Sequence, residues 1–172
     1  MARSAMQSLD RHLWWSRITH KTKLHLYRVF VLSIMLYGSE CLAINKVNIQ
    51  QIDAVNQWCL YRFLDIRLHK FVRNADICRT TNQPPLSSIT KSSHLTFFGH
   101  LARMDENADA SQAIFEPPPE NWRRPPGRPR TTWMKNIHDN LSSLDLGIHK
   151  ARDLAQNRPV WRLMSLHSAM HS

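Results

Sequence analysis

The chain has 172 residues, 42% of them hydrophobic, which is enough apolar material to fill the core of one domain. Lys and Arg total 23 against 13 Asp and Glu, a net charge of +10, so an acidic binding module is excluded and a polyanionic partner is implied. Only 4 glycines argue against Gly-rich phosphate loops, and 3 widely spaced cysteines (Cys41, Cys59, Cys78) argue against a disulfide framework and for a reducing compartment.

Residues 1–18 are polar and basic apart from Leu13-Trp14-Trp15, and they read as a helical extension or a frayed tail. They lack the apolar run of a secretory signal, so an intracellular protein, nuclear or cytoplasmic, is expected. Thr19 can cap a helix carrying Leu24, Tyr27, Val31, Ile34 and Met35, and Gly38 kinks or stops it. The most apolar stretch, Val29 to Ser39, has about half of the ~20 residues a membrane span requires, so a buried helix and no membrane partner are expected.

Asn45 can cap the next helix, where Ile49, Ile52, Val55, Cys59 and Phe63 form one stripe. Arg67 to Arg73 is basic and irregular. Asn74 can cap a short helix with Ile77 and Cys78. Pro84-Pro85 ends it and opens another carrying Leu86, Ile89, Phe97, Leu101 and Met104. Ile52, Phe63, Phe97 and Leu101 are expected to share the first core.

The composition then changes. Asp105 to Glu120 contains acids but no Lys or Arg, and 6 of the 9 prolines lie between Pro117 and Pro129. This reads as a linker or an ordered surface loop. A helix is expected from Thr131 or Thr132, with Trp133, Ile137, Leu141 and Leu144 in register. Leu146-Gly147-Ile148 reads as a helix stop. Two short helices follow, one around Ala151, Leu154 and Ala155, the other from Pro159 through Trp161 to Met164.

No segment alternates with period two long enough to make a strand. The expectation is an all-α protein: an irregular helical bundle with a Pro/Arg-rich connection and a small C-terminal helical unit. Its parts are a basic extension (1–18), a helical domain (19–104), an acidic-to-basic linker (105–130) and a C-terminal unit (131–172).

Two-metal phosphoryl chemistry requires clustered acids, and the only adjacent acidic pair is Asp105-Glu106. The ten histidines include no set with zinc-ligand spacing. No nucleophile elbow is present. The sequence thus offers no catalytic residue, no metal site and no cofactor. The basic residues say more. Arg123, Arg124, Arg128, Arg130 and Lys135 lie together without an intervening acid, and prolines hold the arginines extended. The core Gly127-Arg128-Pro129 resembles an AT-hook, but three residues favour a plain phosphate-binding or solvated Pro/Arg loop. RNA or DNA, met through its backbone, is the expected partner.

Several motifs occur in order: Leu24-x-x-Tyr27 with Leu36-Tyr37-Gly38-Ser39-Glu40; Leu60-x-x-Phe63-Leu64-Asp65-Ile66-Arg67; Asn74-Ala75-Asp76-Ile77; Pro85-Leu86-Ser87-x-Ile89; Phe98-Gly99-His100-Leu101-Ala102-Arg103-Met104; and Arg124 to Arg130 followed by Trp133. The set, from Thr19 to Trp161, resembles the region downstream of the polymerase palm in non-LTR (LINE-type) retrotransposon reverse transcriptases. That family couples an endonuclease to an RNA-directed DNA polymerase. The resemblance implies a thumb and post-thumb segment, and a palm-containing reverse transcriptase chain as a partner.

The aromatic-Asp-Asp palm motif is absent, Ala43 stands where the family often has Trp, and Asn121-Trp122 precedes the arginines. Polymerase activity is therefore not carried over. The resemblance implies instead a fragment holding nucleic acid without sequence preference, or an inert or scaffolding remnant. Tyr37, Gly38, Glu40, Gly99, His100, Arg103 and Trp133 match the family's motifs, and structural roles are expected for them. Gly99 should permit close helix packing, with His100 bonded to a neighbouring backbone group, and Trp133 and Trp161 should anchor cores. Trp14-Trp15 should cover an apolar surface.

Overall fold

A computed structural model describes residues 2–9, 13–14, 16–66, 72–105, 108–115, 120–121, 123, 126–127 and 131–170. The described residues are all-α, with no strand among them. The helices are α1 (Ala2–Ser8), α2 (His20–Leu26), a π-helical segment (Tyr27–Leu32), α3 (Ser33–Leu36), α4 (Lys46–Phe63), α5 (Asn74–Thr81), α6 (Leu86–Ala102), α7 (Asp109–Phe115), α8 (Trp133–Ser142), α9 (Ile148–Gln156) and α10 (Arg158–Met170). They form two compact units: residues 1–39 with 46–90, and residues 40–45 with 91–172. The division falls within α6.

In the first unit, Thr19 caps α2 by accepting from the Thr22 amide. The π segment then adds one residue to the turn, so the side-chain phase shifts. Tyr27 and Val31 are fully buried, whereas Ile34, expected on the same stripe, is 43% exposed. Gly38 ends the helix with φ +67°, a conformation that suits glycine.

The core consists of Met6, Trp14, Tyr27, Val31, Cys59, Leu60 and Ile77. The described residues of the N-terminal stretch are thus no frayed tail: Met6 is buried, and Trp14 Nε1 donates to its carbonyl at 2.9 Å. Trp14 is itself core; Trp15 lies outside the described residues.

Polar groups stitch this unit. The Tyr27 hydroxyl donates to Asn56 Oδ1, and the Lys23 ammonium reaches the Trp14 carbonyl at 2.6 Å. Arg28 donates to Gln83 Oε1 and to the carbonyl of Asn82, the left-handed residue that closes α5. A cation is well placed there, against the negative end of the helix dipole. Asp53 accepts from the Ser87 amide in the first turn of α6, where a carboxylate is favourable. Asn74 is the first helical residue of α5 rather than its cap, which is Arg73. Asn74 Oδ1 accepts from Tyr61 instead.

The second unit packs Leu95, Phe98, Ala102, Ile137, Leu141, Ala151, Ala155 and Trp161. Phe97, which is half-buried, and the buried Leu101 belong to this unit, not to a core shared with Ile52. The side chain of Phe63 lies outside the described residues. Thr132 caps α8 through the Lys135 amide at 3.2 Å. Asp145, at φ +54°, makes the turn after α8, while Gly147 caps the start of α9 instead of stopping α8.

The acidic stretch expected to be linker or loop contains α7. Its Phe115 meets Phe98 edge-on at 5.9 Å, and the Arg152 guanidinium lies 4.7 Å from the Phe115 ring centroid. The rest of the proline-rich segment lies largely outside the described residues. No described helix is long and apolar enough to cross a membrane.

Candidate nucleic-acid interface

The arginine segment contributes little that can be placed. Arg123 is exposed, Lys135 is exposed in the first turn of α8, and Arg124, Arg128 and Arg130 lie outside the described residues.

The family-motif residues fall into three places. Tyr37 and Gly38 form the turn after α3, with Tyr37 89% exposed. Glu40 acts through its backbone, its carbonyl accepting from Trp133 Nε1 at 2.7 Å. Asn136 Nδ2 likewise holds the Ile44 carbonyl, so the 40–45 segment is tied to α8. Trp133 also meets Phe97 edge-on, with centroids 5.8 Å apart.

Gly99 and His100 lie on α6 and Arg103 just past its end, all facing α10. A Cβ on Gly99 would stand 2.1 Å from Trp161 Nε1, so only glycine admits the indole. Trp161 is 3% exposed and donates to the Leu95 carbonyl at 2.8 Å. Close packing is thus the reason for this mid-helix glycine, which otherwise costs about 1 kcal/mol relative to Ala.

His100 departs from expectation. It is exposed and its ring has no hydrogen bond to the described residues, because one position beyond Gly99 the helix turns toward open space. Arg103 Nη1 donates to the Ala155 carbonyl at 2.8 Å, and Gln156 Nε2 donates to the Ala102 carbonyl at 2.9 Å. Each side chain caps the end of the other's helix.

Between α6 and α10 lies an open groove of about 990 Å³. His100 and Arg103 line it from α6, and Arg158 and Arg162 from α10. No carboxylate is among the described residues that line it. Pro159, Trp161, Leu163 and Leu166 supply its apolar wall. Asn157 Oδ1 accepts from the Val160 amide at 3.3 Å, which fixes the start of α10 and sets both arginines on one face.

Sequence reasoning missed Arg158 and Arg162. Their four-residue spacing on a helix was a usable signal, since such side chains are neighbours. Among the described residues, no three His, Cys, Asp or Glu side chains come together to hold a metal ion. Chemically, the groove can hold an anion against several guanidinium groups while an apolar part of the same ligand lies on leucine and proline. No family model matches this chain, and no curated protein or solved structure matches it either.

Proposed function

We propose that this chain binds nucleic acid through its phosphates, without sequence preference, as a fragment derived from a non-LTR retrotransposon reverse transcriptase that lacks polymerase activity. One observation carries the binding part: the α6–α10 groove gathers Arg103, Arg158, Arg162 and His100 with no acid among the described residues that line it. Guanidinium groups meet phosphates as paired donors, and a surface of net charge +10 draws a polyanion from a distance. The derivation rests on the ordered motifs, from Leu24 to Trp133, that resemble the thumb and post-thumb region. An intracellular location, nuclear or cytoplasmic, and a palm-containing chain as partner go with that reading.

A second reading, an inert or scaffolding remnant, is favoured by a different observation. Val29, Phe30, Ile34 and Tyr37 stand exposed along one helical stretch and its closing turn, an apolar row of the kind left when a partner is missing.

A salt titration separates the two. Each phosphate contact contributes about −0.9 to the log–log slope of affinity against salt on duplex and about −0.7 on single strands. Arg158→Ala with Arg162→Ala should flatten the slope by about 1.4 to 1.8, depending on the strand. Replacing Arg123, Arg124, Arg128 and Arg130 with Ala should flatten it by about 3 on duplex where three or four of them each meet a phosphate. Wild type and both variants sharing one affinity and one slope would leave the remnant reading in place.

A further inference from the structure

The groove's composition points beyond phosphate binding in general. We infer that the α6–α10 groove takes a single-stranded stretch of nucleic acid, its phosphates on Arg103, Arg158 and Arg162 and its unpaired bases on the apolar wall. The inference rests on the nucleic-acid reading above and narrows it to one substrate class.

Two features carry it. The first is size. A volume of about 990 Å³ is too small to enclose a duplex, whose major groove alone is ~12 Å wide and ~8.5 Å deep. A few unpaired nucleotides fit, since clefts of ~300–1,000 Å³ hold ligands of that scale.

The second is the pairing of charge with apolar surface. A duplex hides its base faces and offers a protein surface mainly sugar and phosphate, for which a flat basic patch suffices. This groove instead sets Leu163, 69% exposed, and Leu166, 48% exposed, beside Arg158 and Arg162. Leucines left in water next to arginines suit a ligand that is anionic along one edge and apolar along the other. An unpaired strand is such a ligand, and every base has a face to lay down, so sequence matters little.

The arginines are also poised for it. One donor of Arg103 is spent on Ala155, which fixes the guanidinium and leaves its other N–H groups for a phosphate. Arg158 and Arg162 stand one helical turn apart with no carboxylate among the described residues that line the groove.

The test compares a twelve-residue oligothymidylate with a duplex of the same length by fluorescence anisotropy, on the full chain. Wild type should bind the single strand about tenfold more tightly. Leu163→Ser with Leu166→Ser should erase that preference and leave duplex affinity unchanged. Arg158→Ala with Arg162→Ala should flatten the single-strand salt slope by about 1.4. All four side chains are exposed, so helicity by circular dichroism should match wild type in both variants.

Equal or tighter duplex binding, still dependent on the arginines, would overturn the single-strand assignment and leave nucleic-acid binding standing. No arginine-dependent binding of either oligonucleotide would overturn both. Oligoglutamate that competes as well as the oligonucleotide, charge for charge, would assign the groove to an acidic protein segment and overturn the inference.

Discussion

The centre of the first unit is a tyrosine tied to an asparagine; the centre of the second is a phenylalanine held between aromatic rings. Tyr27 is fully buried with its hydroxyl on the buried Asn56, and Lys23, Thr81 and Gln83 are buried in the same unit. Phe98 is also fully buried, but it meets Phe115 at 5.9 Å and Trp161 at 5.7 Å, with no polar atom of its own. A hydrogen-bonded core fixes geometry because each polar group must find its partner, whereas an aromatic core fixes it by shape. The outward faces differ in the opposite sense. The polar-stitched unit exposes Val29, Phe30 and Ile34, and the aromatic unit exposes the arginines of its groove. What a core is made of thus does not foretell what its surface offers.

The largest expected effect lies in the aromatic core. Phe98→Ala should lower the second unit's stability by about 3–5 kcal/mol, the usual cost of emptying a buried aromatic site. Denaturant unfolding, with amide exchange in α6 and α10 as the local readout, measures it. A loss below about 1 kcal/mol would mean that Phe115 and Trp161 collapse into the space, and that shape is not what holds this core.

Gly99→Ala comes next. Helix propensity alone predicts a gain of about 1 kcal/mol. Overpacking typically costs 1–3 kcal/mol, and with Trp161 buried, hydrogen-bonded and 2.1 Å from the new Cβ, the upper end applies, leaving a net loss of about 2 kcal/mol. Because Trp161 also walls the groove, the same variant should weaken oligonucleotide binding. A more stable Gly99→Ala protein would show that α6 and α10 can part at no expense.

The smallest effect is polar. Tyr27→Phe removes the bond to Asn56 and should cost about 1–2 kcal/mol at neutral pH. Burial first, and then the neighbouring Cys59, hold this phenol well above its ordinary value near 10.0. Above pH 10 an unfolded chain therefore gives up a proton that the folded one keeps. Tyr27's contribution is full below pH 10 and is lost as pH rises through the folded value. Between pH 9 and 11 the wild type should lose stability more steeply than Tyr27→Phe in a urea series. Parallel pH profiles for the two proteins would remove Tyr27 from that account.

Stripes with regular spacing were legible in the sequence. Ile137 and Leu141 on α8, and Cys59 on α4, sit where period 3.6 puts them. The caps of Thr19 and Thr132 were legible too, because a hydroxyl before an apolar-periodic run has one efficient use. Ile34 was misplaced because nothing local announces a π turn. The seven residues of α7 were hidden by their acidity: composition suggested linker, while Phe115 packs on a ring that only the fold brings near. The groove was illegible for the same reason. Arg158 and Arg162 share a helix face by spacing, but no local pattern tells α6 to lie against α10. Thr96 and Ser165, whose hydroxyls meet at 3.4 Å, are far apart in the sequence.

The π segment has one more consequence, for the chain as a string of codons. Six residues, Tyr27–Leu32, wind with wider turns than an α-helix, which is the structural equivalent of one residue inserted and absorbed in place. The Ser33 hydroxyl, bonded back to the Val29 carbonyl at 2.6 Å, supports the widened backbone from its C-terminal side. Loss of any single residue within those six would let an ordinary helix run from His20 onward. Every side chain after the deletion would then keep its direction, because five residues at about 100° each turn through nearly the same angle as the six widened ones. Ile34 would stay in the solvent-facing row, and Gly38 would release the chain in the direction it has now. An in-frame deletion of three nucleotides here would thus leave the first unit's apolar face aimed as it is, whereas the same loss within the regular α4 would turn every later side chain of that helix by about 100°.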